Sequence, residues 1–129
     1  MQYLTFEHIL KMHSFVVDET GGLHGLRDSG RLESAIARPG QIVFAKELYP
    51  TVFDKAAVYA HAIIFDHPFV DGNKRTAMVA AFVFLENNGF IATAKAGKIE
   101  KYAIEIVLKK YDVQTVSSWL KEHCERIRK

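Results

Sequence analysis

Two long apolar stretches on either side of a short polar loop (residues 67–75) constrain the fold of this chain more than any other feature. They read AAVYAHAIIF, residues 56–65, and TAMVAAFVFL, residues 76–85. Both carry apolar residues on every side of a helix, which is typical of a central helix surrounded by others and not of an amphipathic surface helix. The chain is therefore predicted to fold around two buried helices joined by the polar loop.

Local boundary signals set the limits of these two helices. Thr51 opens a capping box, so the first helix is predicted to begin near Val52. Pro68 ends it, because the residue before a proline is pushed out of the helical region. The second helix is predicted to begin after Asn73, a favoured N-cap, and to end at the Asn-Gly pair at 88–89.

Four shorter helices are predicted outside this pair. Thr5 caps the first, which runs to about Asp18, and Asp28 or Ser29 caps the second, which ends at Arg38. Two C-terminal helices follow from apolar residues at helical spacing. These residues are Ile99, Ala103, Ile106 and Val107 in one helix and, after Thr115, Val116, Leu120, Cys124 and Ile127 in the other.

Strand signals are weak. Residues 41–49 lie between Pro39-Gly40 and Pro50 and favour a short extended hairpin, and residues 90–94 favour another short extended segment. The predicted fold class is all-α: a compact helical bundle in which the polar loop joins two buried central helices, with a short β-flap.

Size and charge exclude several classes of protein. A chain of 129 residues with 49% hydrophobic residues can fill one core and not two, so residues 1–129 are predicted to form a single domain. A net charge of +2 is too small for direct nucleic-acid binding through phosphate neutralisation. The lone Cys124 indicates a reducing, cytoplasmic setting, and no apolar stretch is long enough to span a membrane.

The polar loop carries the residues suited to chemistry, in the order HPFVDGNKR. Gly72 permits an unusual backbone angle, and the N–H groups of the helical turn after it have no internal partner, which together predict an anion site. Lys74 and Arg75 lie in that turn, where positive side chains oppose the helix dipole unless an anion lies between. Backbone groups of Gly72 and Asn73, with Lys74 and Arg75, are thus the candidate phosphate-binding set.

Phosphoryl or nucleotidyl transfer accounts for the remaining polar residues. Asp71 would repel a phosphate unless it held Mg²⁺, which proteins bind through one or two carboxylates plus phosphate oxygens. His67 suits the role of base for an incoming hydroxyl. The candidate catalytic residues are therefore His67, Asp71, Lys74 and Arg75, with Asp71 as the metal ligand.

The run His67-Pro68-Phe69-Val70-Asp71-Gly72-Asn73-Lys74-Arg75-Thr76 closely resembles the signature loop of the Fic/Doc superfamily, in its Doc (death-on-curing) toxin branch. Further segments are similar to those of the branch, so the resemblance covers roughly residues 22–90. These segments are Gly25-Leu26-Arg27-Asp28, Leu32-Glu33-Ser34-Ala35-Ile36-Ala37-Arg38-Pro39, Leu48-Tyr49-Pro50 and Phe84-Leu85-Glu86-Asn87-Asn88-Gly89.

The resemblance implies an all-helical fold, His67 as the base, Asp71 as the Mg²⁺ ligand and the backbone of residues 72–74 as the anion hole. It makes residues 41–49 the counterpart of the flap that aligns a target peptide near the nucleotide, with Lys46 as a residue that contacts nucleotide or target or is simply solvated.

Two departures from the wider Fic pattern, HxFx(D/E)GNGRxxR, bear on the reaction. Lys74 replaces the second glycine, and Met78 stands where the second arginine is expected. The Doc branch shares these features and resembles a kinase that binds ATP in the reversed direction and delivers its γ-phosphate to a threonine of elongation factor Tu, which halts translation. A phage member of that branch has an arginine two residues before the motif histidine, where this chain has Phe65.

The resemblance also implies control by a partner. Self-inhibited members carry a helix with the motif (S/T)xxxE(G/N). The nearest match here runs from Ser29 to Glu33, but Ser34 follows where the motif requires Gly or Asn, so we interpret the match as chance. Inhibition of the toxin is then expected to come from a Phd-like antitoxin whose disordered tail folds into a groove on the toxin.

Three other functions stay open. A nucleotidyltransferase would move AMP or another nucleotide to a hydroxyl. A metal-dependent phosphohydrolase would use His61, Asp66, His67 and Asp71 as ligands. A non-catalytic helical module would grip an acidic partner with Lys74 and Arg75.

Overall fold

The computed structural model describes residues 1–128, so Lys129, the last residue of the predicted domain, lies outside the described residues. Within this range the chain forms six α-helices and four short strands. The helices are α1 (Phe6–Thr20), α2 (Ser29–Ala37), α3 (Val52–Asp66), α4 (Asn73–Asn87), α5 (Ala96–Lys109) and α6 (Val113–Glu122). The strands are β1 (Ile42–Val43), β2 (Lys46–Glu47), β3 (Phe90–Ala92) and β4 (Cys124–Arg126), and a 3₁₀ turn spans Arg38–Gly40. The predicted class, an all-α bundle with a short β-flap, is confirmed.

Helix α3 is the centre of the bundle. Its residues from Asp54 to Ile64 are buried, apart from the half-buried His61. It packs most extensively against α4 and α6. The phenolic oxygen of Tyr59 accepts a hydrogen bond from the N–H of Leu4, and burial raises the pKa of Tyr59 to about 12. The ring therefore stays neutral and ties the N-terminal segment to the central helix.

Helix α4 is enclosed less completely than its sequence predicts. Lys74 and Arg75 are exposed at its start, and Val79 and Phe82 are half-buried along one side. The expectation that α4 is buried all round is wrong on this side, because α1 and α5 leave a groove between them over it.

Side-chain caps account for most helix starts. Thr5 and Thr51 each close a capping box, and Asp28 accepts a hydrogen bond from the N–H of Arg31. These starts lie where the sequence predicts them, although α1 runs two residues past Asp18 and α2 ends one residue before Arg38.

Two predicted boundaries are wrong. Asn73 is not the N-cap of α4: the cap is Gly72, at φ +74°, and Asn73 is already helical. The last helix begins at Val113, because Asp112 accepts a hydrogen bond from the N–H of Thr115.

The last predicted helix also ends too late, because Cys124 to Arg126 form strand β4. This strand pairs antiparallel with β3, with Ile91 opposite Glu125. The predicted extended segment at 90–94 is thus confirmed, and its partner is a segment whose spacing had indicated helix.

The predicted hairpin over residues 41–49, the flap hairpin, is formed by β1 and β2. Ile42 pairs with Glu47 and Val43 with Lys46, which leaves Phe44 and Ala45 as the two-residue turn. Within residues 1–128, no helix is both long and apolar enough to cross a membrane.

Candidate active site

The polar loop connects the end of α3 to the start of α4, so its two ends are fixed by the two central helices. His67 is the C-cap of α3 and adopts the left-handed conformation, at φ +48° and ψ +59°. Its side chain is exposed, while Pro68 and Phe69 directly after it are buried. The loop therefore holds the imidazole at the surface on a backbone that is anchored in the core.

Two arginines from another part of the chain bind the end of α3. The Nε of Arg27 donates to the carbonyl oxygen of His67 at 2.9 Å. The Nη1 of Arg31 donates to the carbonyl oxygen of Asp66 at 2.7 Å, and an Nη2 of Arg27 reaches the same oxygen at 3.2 Å. Cationic groups on the last carbonyls of a helix also favour its dipole, so both arginines stabilise the backbone that carries His67.

The strap (residues 25–28) continues these contacts along the polar loop. The N–H groups of Arg27 and Asp28 donate to the carbonyl oxygen of Pro68 at 2.7 and 3.0 Å, and the N–H of Val70 donates to the carbonyl oxygen of Gly25 at 3.0 Å. The strap and the loop are thus hydrogen-bonded like a short antiparallel pair.

Phe69 fixes the middle of the loop to the core. Its ring is 1% exposed and stacks on the ring of His13 from α1, with centroids 3.8 Å apart and planes 5° from parallel. The Nε2 of His13 lies 2.7 Å from the carbonyl oxygen of Asp71, where a protonated nitrogen donates. One buried histidine therefore holds both the aromatic side chain and the backbone of the loop.

Asn73 stabilises the same turn from the other side. Its Oδ1 accepts from the N–H of Phe69 at 3.0 Å, and its Nδ2 donates to the carbonyl oxygen of Phe69 at 2.9 Å. The side chain is 8% exposed, so these bonds satisfy polar groups that would otherwise be buried without partners. Any contribution of Asn73 to phosphate binding is then through its backbone.

The carboxylate of Asp71 is exposed, but two backbone N–H groups fix its orientation. One oxygen accepts from the N–H of Gly72 at 2.9 Å and the other from the N–H of Leu23 at 3.2 Å. A β-carbon at Gly22 would lie 2.7 Å from this carboxylate, and Gly22 has a φ of +109°, so only glycine fits there. Each carboxylate oxygen keeps a lone pair, which leaves room for a cation.

The start of α4 presents unpaired backbone donors next to this carboxylate. Gly72 is the N-cap, and no side chain among residues 1–128 caps the helix there. The first N–H groups of a helix have no partner within it and attract anions. Lys74 and Arg75 in this turn are exposed, so a phosphate bound here would meet both backbone donors and two cations.

An apolar groove of about 440 Å³ adjoins Lys74 and Arg75 and runs between α1, α4 and α5. Phe15 and Ile104 on its walls are 62% and 49% exposed. Glu19 and Glu100 also lie along it. The polar loop thus stands at one end of an exposed apolar surface.

The structure does not bring together the ligand set of a phosphohydrolase. The Nε2 of His61 lies 3.1 Å from the carbonyl oxygen of Tyr111, and burial lowers the pKa of His61. Asp66 pairs with Arg38 at 3.0 Å. In the described part of the chain, no three His, Cys, Asp or Glu side chains form a cluster able to hold a metal ion.

His13, Arg27 and Arg31 are the site residues that sequence reasoning missed. Nothing in the spacing of His13 indicates a contact with Asp71, which is 58 residues away. Arg27 lies in a segment that resembles the family, which was a usable signal, but its partners are backbone atoms that no sequence pattern marks.

Comparison with known proteins agrees with these features. The model of the Fic/DOC family matches residues 3–85. "Toxin Doc" of Mycolicibacterium smegmatis (strain ATCC 700084 / mc(2)155) is 35% identical over 121 residues, which cover 92% of this chain and 91% of that protein. "Protein kinase doc" of Escherichia phage P1 is 37% identical over 89 residues, which cover 69% of this chain and 70% of that protein.

Proposed function

This chain belongs to the Fic/DOC family, and from that membership we propose that it is the toxin of a toxin–antitoxin pair and acts as a Mg-ATP-dependent protein kinase. Its proposed substrate is a threonine hydroxyl of a translation factor, with elongation factor Tu as the first target to test. The names of the two relatives support a toxin and a kinase respectively.

The reaction proposed is transfer of the γ-phosphoryl group of ATP. The threonine oxygen attacks the γ-phosphorus, the bond from that phosphorus to the bridging oxygen breaks, and ADP leaves with the electron pair. A ring nitrogen of His67 accepts the proton of the hydroxyl. The exposure of His67 and the fixed backbone beneath it support this role, because a base must be accessible and correctly placed.

Asp71 is the proposed ligand for Mg²⁺. Its exposed carboxylate is oriented by two backbone N–H groups and retains acceptor capacity, which fits a cation that proteins bind through one or two carboxylates and phosphate oxygens. When bound, the ion would neutralise charge on the phosphates.

The uncapped start of α4 is the observation that carries the proposal. Its free N–H groups, with Lys74 and Arg75, would hold the phosphate under attack and stabilise the charge that develops on it. A helix start without a capping side chain, beside a held carboxylate and an exposed histidine, has little structural purpose unless an anion binds there.

Two residues favour phosphoryl transfer over nucleotidyl transfer. Lys74 adds bulk and charge where a second glycine would leave space for a phosphate chain. Met78, at the position of the missing arginine, is 3% exposed and apolar, so it offers no clamp for distal phosphates.

A Phd-like antitoxin is the proposed partner, with the apolar groove as its docking place. The groove is exposed, apolar and next to the polar loop, which suits an amphipathic segment that folds on binding and covers the site. An acidic residue at the end of that segment would face Lys74 and Arg75.

Mass spectrometry of purified elongation factor Tu, and of a cell lysate, after incubation with this protein, ATP and Mg²⁺ tests the proposal. A phosphate on a threonine is expected. His67→Ala should reduce its rate by about 10²–10⁴-fold with the fold preserved. His8→Ala is the control for loss of an imidazole: it removes one bond of the α1 capping box at an exposed position and should keep the activity.

The mass of the product separates the alternatives. A nucleotide adduct would replace the kinase with a nucleotidyltransferase. If no adduct forms on any protein, the chain is not a transferase for these targets and the binding module becomes the better hypothesis.

A further inference from the structure

Lys55 is a buried charge for which the proposed reaction has no use. It lies in the first turns of α3 and is 1% exposed. An ammonium group removed from water costs several kcal/mol unless charge and hydrogen bonds compensate it. A lysine at this place therefore requires an explanation.

Among residues 1–128, every hydrogen-bond partner of the Lys55 ammonium group lies around the flap hairpin. Its Nζ donates to the carbonyl oxygen of Pro39 at 3.1 Å, just before the hairpin, and to that of Tyr49 at 2.6 Å, at its end. The third bond goes to the carboxylate of Glu47 in β2, at 3.0 Å. One buried group thus ties both ends of the hairpin, and one of its strands, to the central helix.

The rest of the flap hairpin is exposed. Ile42 and Leu48 are 64% and 48% exposed, and Phe44 at the tip is 96% exposed. Its turn is strained as well, because Phe44 and Ala45 both have positive φ, a conformation that glycine and asparagine favour in such turns. The position of the hairpin therefore depends on the contacts that Pro39, Glu47 and Tyr49 make with Lys55.

The base of the flap hairpin is also connected to the candidate site. Arg38, one residue before Pro39, pairs with Asp66, which is next to His67. A shift of the chain at Arg38 and Pro39 would therefore change where the flap hairpin lies relative to His67, the candidate proton acceptor.

We propose that Lys55 is a positioning residue: its buried ammonium fixes the flap hairpin and, through it, the place where the protein target lies. The part that concerns the target rests on the proposed function. Lys55 would act on target binding and not on phosphate binding, because its contacts are with the hairpin and the Tyr3 ring, 5.8 Å away, and not with the polar loop.

Hydrogen exchange of the full chain tests the anchoring directly. In Lys55→Met, a linear apolar side chain replaces the buried ammonium, and the carbonyl oxygens of Pro39 and Tyr49 lose their donor at the two ends of the flap hairpin. The Leu48 amide, which donates to the carbonyl oxygen of Gln41 at 2.9 Å, should exchange at least about tenfold faster, with α3 and α4 unchanged. Lys121→Met, at an exposed lysine of α6, is the matched control and should exchange as the wild type does.

A second variant covers the case in which Lys55→Met does not fold. Glu47→Gln removes the countercharge of Lys55 but keeps a hydrogen-bond acceptor at this half-exposed position, so the hairpin amides should exchange faster by a smaller factor. If the hairpin amides exchange at the wild-type rate in the folded variants, Lys55 is not the anchor.

Steady-state kinetics test the functional half. Lys55→Met should raise KM for the protein target by about tenfold, with kcat and the KM for ATP within about twofold of the wild type. A fall in kcat at unchanged KM would overturn the positioning role. If the wild type modifies no protein, the proposed function fails and the target role of Lys55 fails with it, while the exchange experiment still decides the anchoring.

Discussion

At the scale of single residues, His67 carries backbone strain at the candidate site. A side chain with a β-carbon in the left-handed region is strained by about 1–2 kcal/mol. Such strain persists only where surrounding contacts hold the backbone, and here the strap and its arginine do so. The carbonyl of His67 cannot leave this geometry without losing its bonds to Arg27.

Arg27→Ala should therefore lower kcat by about tenfold, with the KM for ATP unchanged, because His67 as the proposed base loses its placement and the proposed phosphate site keeps its donors. Arg27→Lys should recover only part of the loss, since one ammonium nitrogen cannot occupy the separate positions of the Nε and Nη2 atoms with which the planar guanidinium holds the two carbonyl oxygens. Steady-state kinetics measure kcat and the KM for ATP of each variant, and a thermal unfolding curve checks that each variant is folded.

Arg128→Ala, at an exposed arginine near the C-terminus, is the control for loss of a cation and should leave kcat unchanged. If Arg27→Ala instead raises the KM for ATP, Arg27 takes part in phosphate binding, which would contradict the positioning role.

At the scale of elements, local signals predicted the two central helices and the polar loop well. Thr51 and Pro68 mark the limits of α3 through their own backbone and side-chain chemistry, which needs no distant partner. The apolar stretches likewise identified both buried helices. The candidate residues His67, Asp71, Lys74 and Arg75 come from one contiguous segment, so the sequence alone could place them in one loop.

Elements that depend on distant partners were predicted poorly. Cys124 and Ile127 continue the helical spacing of α6, yet this segment pairs with β3, more than thirty residues earlier. The role of Asn73 was wrong for the same reason: its side chain is used by the turn at Phe69, and glycine takes the cap. The contacts of His13 and Arg27 with the loop likewise exist only after folding.

Strand β4 gives a prediction about its cysteine. Burial raises the pKa of Cys124 from 9.0 to about 11. Because the thiolate is the reactive form, alkylation by iodoacetamide at pH 8 should be about 100-fold slower in the folded chain than in urea. Between pH 9 and 11 the folded state retains a proton that the unfolded state has lost, so Cys124 makes the folded state less stable as the pH rises through this window.

Mass spectrometry of the alkylated chain over time measures both rates. The folded rate should rise about tenfold per pH unit between 8 and 10, as the thiolate fraction does. Equal rates in the folded and unfolded chains would show that β4 does not shield the thiol.

At the scale of the whole molecule, α4 connects the candidate chemistry to its proposed control. Its first turn carries the proposed anion site, and the next turns form the floor of the apolar groove with Met78 and Phe82. A segment that lies in the groove is therefore directed along one helix toward Lys74 and Arg75. Occlusion of the site then needs no change of fold, only an occupant of the right length.

Ile104→Glu tests this arrangement, because it places a carboxylate on the apolar wall of the groove, on α5 and outside the polar loop. We expect the affinity for the proposed Phd-like antitoxin to fall by tenfold or more, since burying an unpaired charge costs more than about 1.4 kcal/mol. Titration calorimetry with the antitoxin measures it, and the variant should keep the proposed kinase activity.

Ile91→Glu is the matched control, because Ile91 is 45% exposed and Ile104 is 49% exposed, but Ile91 lies on β3, outside the groove. It should bind the antitoxin as the wild type does. In cells that produce both partners, Ile104→Glu should arrest growth while Ile91→Glu should not, because only the first frees the proposed active site from the proposed inhibitor. Equal antitoxin affinity for the two variants would place the antitoxin on another surface of the molecule.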